Sequence, residues 1–360
     1  MTMTSGQLCW LSRTEDTMTF DPNATGNSNY GLFSLPYSEE ESNLIIIPVP
    51  WEVTTSYGDG CSLGPDAVYT ASKQLDLCDA LYGNFYTRGI FQRSTADEVL
   101  AQNHDLKKKA QQLRKQLESG ESLTEPQRKI QKEINQACEQ LQIWVQNQAQ
   151  DVLDQGKYCG VVGGDHSAPL GLIRALSDKY LDLSILHIDA HMDLRQSYQG
   201  YKYSHASIMY NVLQETSIKS LVQLGIRDFC PQEEEISQSD PRVYTFYDSH
   251  MSLALSRGES WDSLSLQAIN KLTDQVYISL DIDGLSPDLC PNTGTPVPGG
   301  LGFSQLEALL YQLSSSKKQI VGFDLCEVSP GPDPKCLESW DANVGARVLF
   351  KLAGALLNNN

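Results

Sequence analysis

Hydrophobic positions along this chain come in short continuous runs more often than in alternation. Leu44-Ile45-Ile46-Ile47-Pro48-Val49 is the first, and Tyr158–Val162, Ser184–Ile188, Ser220–Ile226, Arg242–Tyr247, Gln275–Leu280 and Gln319–Phe323 follow. Runs of this length fit strands buried on both faces. Polar or amphipathic stretches of helical length separate most of them, which predicts a parallel sheet covered by helices. Gly64-Pro65-Asp66-Ala67 reads as a helix start with Pro in its first turn. Of the six runs from Tyr158 onward, five end at or just before an Asp. Ligands bind beyond the carboxyl ends of such strands.

Two stretches break the alternation. Residues 1–42 are polar and rich in Ser, Thr, Asn and Gly, and are expected to form an irregular arm partly ordered by docking. Residues 97–153 are rich in Gln and Lys and hold eight of the 27 basic residues between Lys107 and Lys132. Gly120 interrupts this segment, Ser122 with Glu125 resembles a capping box, and Pro126 fits a first turn. Ile130, Ile134, Cys138, Leu141, Val145 and Val152 then recur at helical spacing. The segment is read as two antiparallel helices, the second packed on the body. Lys107-Lys108-Lys109 is read as a solvated face. The domain expected is therefore 43–360, with a helical hairpin inserted at about 97–153.

Composition narrows the function. The chain has 360 residues, 40% apolar and 20% charged, as ordinary globular proteins do. Its formal charge of -18 argues against nucleic-acid binding, which needs Lys and Arg on phosphates, and against anionic membranes. No apolar run of transmembrane length occurs, and the start of the chain lacks a basic and apolar leader pattern. Nine scattered Cys without a CxxC pair fit a reducing, cytoplasmic setting.

Three motifs at strand ends carry chemistry: Gly163-Gly164-Asp165-His166-Ser167, Asp189-Ala190-His191-Met192-Asp193 and Asp281-Ile282-Asp283-Gly284. On an extended strand end, residues two apart share a face. Asp189, His191 and Asp193 therefore point together, and so do Asp281 and Asp283. One Asp-x-Asp alone is usually a turn former. Three such motifs on one sheet edge gather carboxylates that could not all stay ionised unpaired. Two divalent cations neutralise four Asp. Oxygen and nitrogen donors without thiolate suit manganese first, with iron, nickel or zinc as other possibilities.

With these motifs the sequence resembles the ureohydrolases: arginase, agmatinase, guanidinobutyrase, formiminoglutamase and relatives. Ser279-Leu280-Asp281-Ile282-Asp283-Gly284-Leu285-Ser286-Pro287, Gly294-Thr295-Pro296, Gly299-Gly300-Leu301, Gly225-Ile226-Arg227-Asp228 and Asp324-Leu325-Cys326-Glu327-Val328-Ser329-Pro330 extend the match over about residues 44 to 350. The resemblance implies a three-layer α/β/α fold with a mostly parallel, eight-stranded sheet. It implies two divalent ions, manganese with nickel as the alternative, one held by His166, Asp189, Asp193 and Asp281, the other by His191, Asp189, Asp281 and Asp283. It further implies hydrolysis of a guanidino C–N bond to urea and an amine or ammonia. Glu327 would orient the guanidinium, and His205, in Tyr203-Ser204-His205-Ala206-Ser207, would carry a proton to the leaving amine. Asp193 counts as a catalytic residue too, and Asp228 as a substrate-binding one. The family often forms trimers or hexamers. His187 is read as a packed strand residue; His104, in the hairpin, and His250, in a loop, receive no role. Cys290 and Cys326 are read as structural.

The substrate is less legible. Arg195 stands where arginases place a small polar residue, and Cys230 where they place an acid for the α-amino group. Tyr198, Tyr201 and Tyr203 precede His205. Arginine therefore ranks low. An agmatine-like amine, a guanidino acid paired to Arg195, and guanidine enclosed by aromatics stay open. So do two other readings: a formiminoglutamase-like hydrolase, whose Asp-Leu-Arg pattern this chain shares, and a catalytically silent member with a binding or regulatory role.

Overall fold

The computed structural model describes residues 20–27, 29–331 and 337–359. Eight strands form one sheet: β1 (Leu44–Val49), β2 (Ile90–Gln92), β3 (Tyr158–Gly163), β4 (Leu183–Ile188), β5 (Ser220–Ile226), β6 (Val243–Tyr247), β7 (Gln275–Asp281) and β8 (Gln319–Cys326). Every pairing is parallel, in the order β2-β1-β3-β8-β7-β4-β5-β6. The runs read from the sequence are these strands, with β2 added at one edge. It is three residues long and half-buried, too short to stand out as an apolar run.

Strand residues alternate between two cores, which explains the absence of alternation in sequence. Leu44 and Ile46 of β1 face one helical layer, while Ile45, Ile47 and Val49 face the other. The first layer contains α1 (Gly64–Ser72), α8 (Trp261–Ile269), α9 (Phe303–Ser314) and α10 (Trp340–Asn359). The second contains α2 (Asp97–Glu118), α3 (Glu125–Asp154), α4 (Leu170–Lys179) and α5 (Ile208–Glu215). Two further helices, α6 (Pro231–Ser239) and α7 (Asp248–Ser256), flank β6. Among the described residues no helix is long and apolar enough to cross a membrane.

The hairpin expected at 97–153 is α2 and α3. Its cap differs from the reading: Thr124 and Gln127 form the capping box, not Ser122 and Glu125. Glu125 is itself the first helical residue, so the cap must lie one position before it. His250 lies in α7 and not in a loop. Residues 1–19 and 28 of the N-terminal arm lie outside the described residues. Nearer the body, Leu32, Phe33 and Leu35 are buried, and Phe33 meets Phe350 of α10 edge-on at 5.1 Å.

The order of the strands places the site. β3 and β4 follow one another in sequence but are separated in space by β8 and β7. From this point the chain winds outward in both directions, leaving a crevice at the carboxyl ends of the four central strands. Each of the four carries one of the motifs.

Candidate metal centre and active site

His166 follows β3, Asp281 ends β7, and Asp283 sits one turn beyond it. Asp189, His191 and Asp193 follow β4, and Glu327 follows β8. His166 Nδ1 lies 3.0 Å from Asp189 Oδ2, 3.2 Å from Asp193 Oδ2 and 3.4 Å from Asp281 Oδ2. His191 Nδ1 lies 3.4 Å from Asp189 Oδ1 and 3.2 Å from Asp283 Oδ2. Asp189 thus belongs to two groups close enough to hold a metal ion, one with His166, His187 and Asp193, the other with His191 and Asp283. His191 keeps 23% of its side chain exposed and forms the open side, toward a cleft.

Close packing of the backbone brings these ends together. A Cβ on Gly164 would meet Trp51 O at 2.0 Å, and one on Gly284 would meet Asp189 N at 2.6 Å. Glycine is therefore required where the loops of β3 and β7 cross their neighbours. Asp193 and Glu327 adopt φ of 53° and 61°. Such left-handed conformations are costly for residues with a Cβ and gather at functional sites. The Asp193 carbonyl is held by Tyr210 N–H, and Glu327 N–H donates to Gly164 O.

The electrostatics show what the donor set needs. Burial, then the charges of Asp283 and Asp189, push Asp281 well above the usual carboxylate range. Against the push of burial, Asp189 and Asp193 hold His166 well above its ordinary value. Likewise Asp283 and Asp189 raise His191. Without cations, the cluster balances itself by keeping protons on imidazoles and on a carboxyl. Divalent cations would supply the same positive charge, so the residues fit a metal centre.

A third group, His166 with Asp324 and Cys326, lies on the far side of the His166 ring. The His166 Nε2 atom is 3.0 Å from Ser279 Oγ and 3.6 Å from Asp324 Oδ1. Asp324 also accepts Tyr277 O–H at 2.8 Å. Burial and Asp324 push the Cys326 thiol well up, so it is no thiolate donor. Ser279, with Asp324 beside it, orients the imidazole from behind. Asp324 lies within β8 and not at its end, which is why it serves here.

Glu327 is fully buried. Its Oε1 accepts His166 N–H at 3.1 Å and lies 3.4 Å from His205 Nδ1; its Oε2 accepts the Cys61 thiol at 2.9 Å. Against burial, His205 holds Glu327 below its usual range, and Glu327 in turn holds His205 above its own. Behind them Asp165 is pushed up to about 7 by burial and by Glu327.

A cleft of about 150 Å³ opens over these groups. Asp193, Asp228, Glu233 and Asp281 line it against the single guanidinium of Arg195. A larger cavity of about 710 Å³, lined by Phe20, Tyr30, Lys73 and Asn343 among others, holds none of the three metal-competent groups.

The arginase-family model matches residues 42–354. The chain belongs to the arginase family. Its sequence is 31% identical over 301 residues to N(1)-aminopropylagmatine ureohydrolase of Thermus thermophilus, covering 84% of this chain and 87% of that protein. It is 27% identical over 294 residues to agmatinase of Bacillus anthracis, covering 81% and 86%. The fold is similar to that of agmatine ureohydrolase of Thermoplasma volcanium, with a TM-score of 0.67 and 24% identity over 89% of this chain and 92% of that one. The protein is an arginase-family hydrolase, and the three-layer fold implied by the resemblance is the one observed.

Within this family frame, several residues stand otherwise than the sequence reading had them. His187 is not merely packed: its Nε2 lies 2.8 Å from Asp189 Oδ2. Gln223 Nε2 donates both to Met192 O at 2.7 Å and to His187 Nδ1 at 3.0 Å. A carbonyl can only accept, so the Gln223 amide orientation is determined. His187 Nδ1 is then the acceptor, and Nε2–H donates to Asp189. His187 therefore orients Asp189 from behind. It lies two residues before Asp189, so the same-face rule already placed it there.

Tyr198 lines the cleft, but Tyr201 and Tyr203 are buried beneath the helical layer. Arg195 stacks over Tyr198 at 4.8 Å, with its Nε 3.6 Å from Glu233. Arg227 does not enter the cleft: its guanidinium clamps the carbonyls of Asp283, Leu285 and Val297. Cys61 and Ser56 contact Glu327 and His205, and Glu233 lies beside Arg195. No local pattern marks them; only the tertiary fold brings them to Glu327, His205 and Arg195.

Proposed function

We propose that this chain hydrolyses the guanidino C–N bond of a small cationic guanidino compound, releasing urea and an amine or ammonia in the manner of an agmatinase. The observation that carries this reading is Glu327, a buried carboxylate paired with His205 beside the Asp/His cluster. A planar carboxylate meets a guanidinium by two parallel hydrogen bonds. The acidic cleft favours a cation. The names of the Thermus and Bacillus relatives support an agmatine-type substrate over arginine.

His166, Asp189, Asp193 and Asp281 would hold one divalent cation, and His191, Asp189, Asp281 and Asp283 the other. Bound there, the pair would supply Lewis acidity and a water acidified toward neutral pH. Manganese is proposed first, from oxygen and nitrogen donors without thiolate, with nickel second. Glu327 holds the guanidinium plane. His205, kept protonated by Glu327, gives its proton to the departing amine. Asp193 reaches both the cluster and the cleft and accepts a proton as the hydrolytic water adds. Asp228, at the cleft wall, contributes a further carboxylate to the cation. Arg195, stacked on Tyr198, limits the room for the substrate's tail.

The described cysteines are free, which supports a reducing, cytoplasmic setting. A trimer or hexamer completes the proposal. The test is urea release from arginine, agmatine, aminopropylagmatine, guanidino acids and guanidine, with manganese and nickel in parallel. No urea from any of them, with two metals bound per chain, overturns it. Formamide released from an added N-formimino amino acid, with no urea from the guanidino compounds, marks a formimino substrate instead.

A further inference from the structure

The hairpin α2–α3 touches no reacting group, yet both loops that flank the cleft are tied to it. One face of α2 presents Asn103, Lys107, Gln111 and Arg114 at helical spacing. Asn103 Oδ1 accepts Glu52 N–H at 2.8 Å, and Arg114 Nη1 donates to Thr55 O at 2.9 Å. Lys107 Nζ pairs with Glu52 Oε1 at 2.6 Å and Asp59 Oδ1 at 3.2 Å. Glu52 is buried and spends its other contacts on the same loop: Oε2 accepts Gly60 N–H at 2.8 Å, and Oε1 accepts Ser62 O–H at 2.5 Å. That loop carries Ser56, 3.2 Å from His205 Nε2, and Cys61, which donates to Glu327.

On α3 the pattern repeats toward the second loop. Gln131 Nε2 donates to Gln199 O, and Asn135 Nδ2 to Gly200 O, each at 2.9 Å. Asn135 Oδ1 accepts Lys202 N–H at 2.9 Å. Gln199 and Gly200 hold positive φ in the tight turn between Tyr198 and Tyr201, so this turn has one conformation to lock. It carries Tyr198 on its near side and leads to His205 on its far side. The polar contacts on the two helices therefore converge on two loops that line one cleft, through Ser56 and Tyr198.

We infer that the α2–α3 hairpin is the positioning element of the site, with Lys107 and Asn135 as its two positioning residues, and that it sets the width of the cleft between the Ser56 and Tyr198 loops. Lys107 is thereby removed from the solvated run in which the sequence places it; Lys109 bridges Asp105 to Glu133 of α3, and Lys108 of that run is exposed. A partly buried ion pair that orders a loop specifies geometry more than it adds stability. Misplacing reactive groups by about 1 Å costs on the order of a hundredfold in rate.

This inference rests on the proposed guanidino hydrolysis for its kinetic arm only. The variants are Lys107→Met, Asn135→Leu, and the conservative Lys107→Arg, all in the full-length, metal-loaded protein. Amide exchange is read first, because it needs no substrate. Lys107→Met is expected to raise exchange in peptides covering residues 52–62, and Asn135→Leu in those covering 198–204, with the central strands unchanged. In urea release from the best substrate, kcat is expected to fall about ten- to a hundredfold, with metal content retained. The ratio of kcat/KM between a short and a long guanidino substrate is expected to shift in both variants and return in Lys107→Arg. Exchange rising uniformly through the chain, or an unchanged substrate ratio with unchanged kcat, overturns the inference. Absence of urea from the unmodified protein overturns the functional reading instead, and leaves the exchange result to decide this one.

Discussion

Replacing Glu327 by Gln isolates the contribution of one charge to the reaction. The side chain keeps its volume, which matters because Gly294 lies under it and a Cβ there would sit 2.9 Å from Glu327 Oε2. What changes is the hydrogen bonding. In the native site Oε1 accepts His166 N–H and Oε2 accepts the Cys61 thiol. An amide offers one acceptor atom, so one of these buried donors loses its partner, at about 1–3 kcal/mol of stability. A guanidinium is affected more. One of its N–H groups loses a charge-assisted bond worth about 1.5–3 kcal/mol, and it meets an NH2 group with no acceptor. A combined loss of about 3–4 kcal/mol, at about 1.4 kcal/mol per decade, lowers kcat/KM by roughly two to three orders of magnitude. The assay is urea release under initial-rate conditions, with metal content and thermal midpoint measured on the same preparation. Glu327→Gln is expected to keep two metals per chain and lose most of its activity. Activity within about threefold of the unmodified protein, with both metals present, would show that Glu327 does not hold the guanidinium.

His205 has a raised folded pKa, so its pairing with Glu327 stabilises fully below its unfolded value of about 6.5, and the contribution is lost as pH rises through the folded value. In metal-free protein, His205→Asn should therefore cost more stability at pH 6 than at pH 9; an equal cost, by denaturant unfolding, removes the ion pair from the account. Asp189→Asn should lose both metals and Asp283→Asn mainly one, by elemental analysis, because Asp189 belongs to both groups. Chelation should lower the thermal midpoint, since a ligand at about a hundred times its Kd stabilises by about 2.7 kcal/mol. His187→Phe should keep the metal stoichiometry but weaken affinity about ten- to a hundredfold, as loss of an orienting donor does; unchanged affinity by competition with a chelating dye refutes that role. Gly164→Ala should destabilise by at least about 1–3 kcal/mol, because its methyl would fall on Trp51 O.

The sequence by itself determined the layers, the sheet and the acidic motifs at the strand ends. Runs such as Leu44–Val49 read as doubly buried strands because both faces of a parallel sheet are covered, and that demand acts on each residue separately. The motifs after β3, β4 and β7 were legible because a strand end puts residues i and i+2 on one face, a local rule. Applied two residues earlier, the same rule reaches His187. What lay beyond local rules was the strand order. Only the insertion of β8 and β7 between β3 and β4 brings Glu327 and Asp281 to His166, from positions more than a hundred residues away. Cys61, Ser56 and Glu233 belong to the same class, because their surroundings in sequence say nothing of what they will touch. Lys107 shows it most plainly. In sequence it is one of three consecutive lysines, which a helix should display to water. In the fold its side chain is only 17% exposed, because α2 lies across the 52–62 loop and a buried Glu52 needs a cation there. The pattern of polarity determines which residues can be inside; which charge meets which is decided when the chain closes on itself.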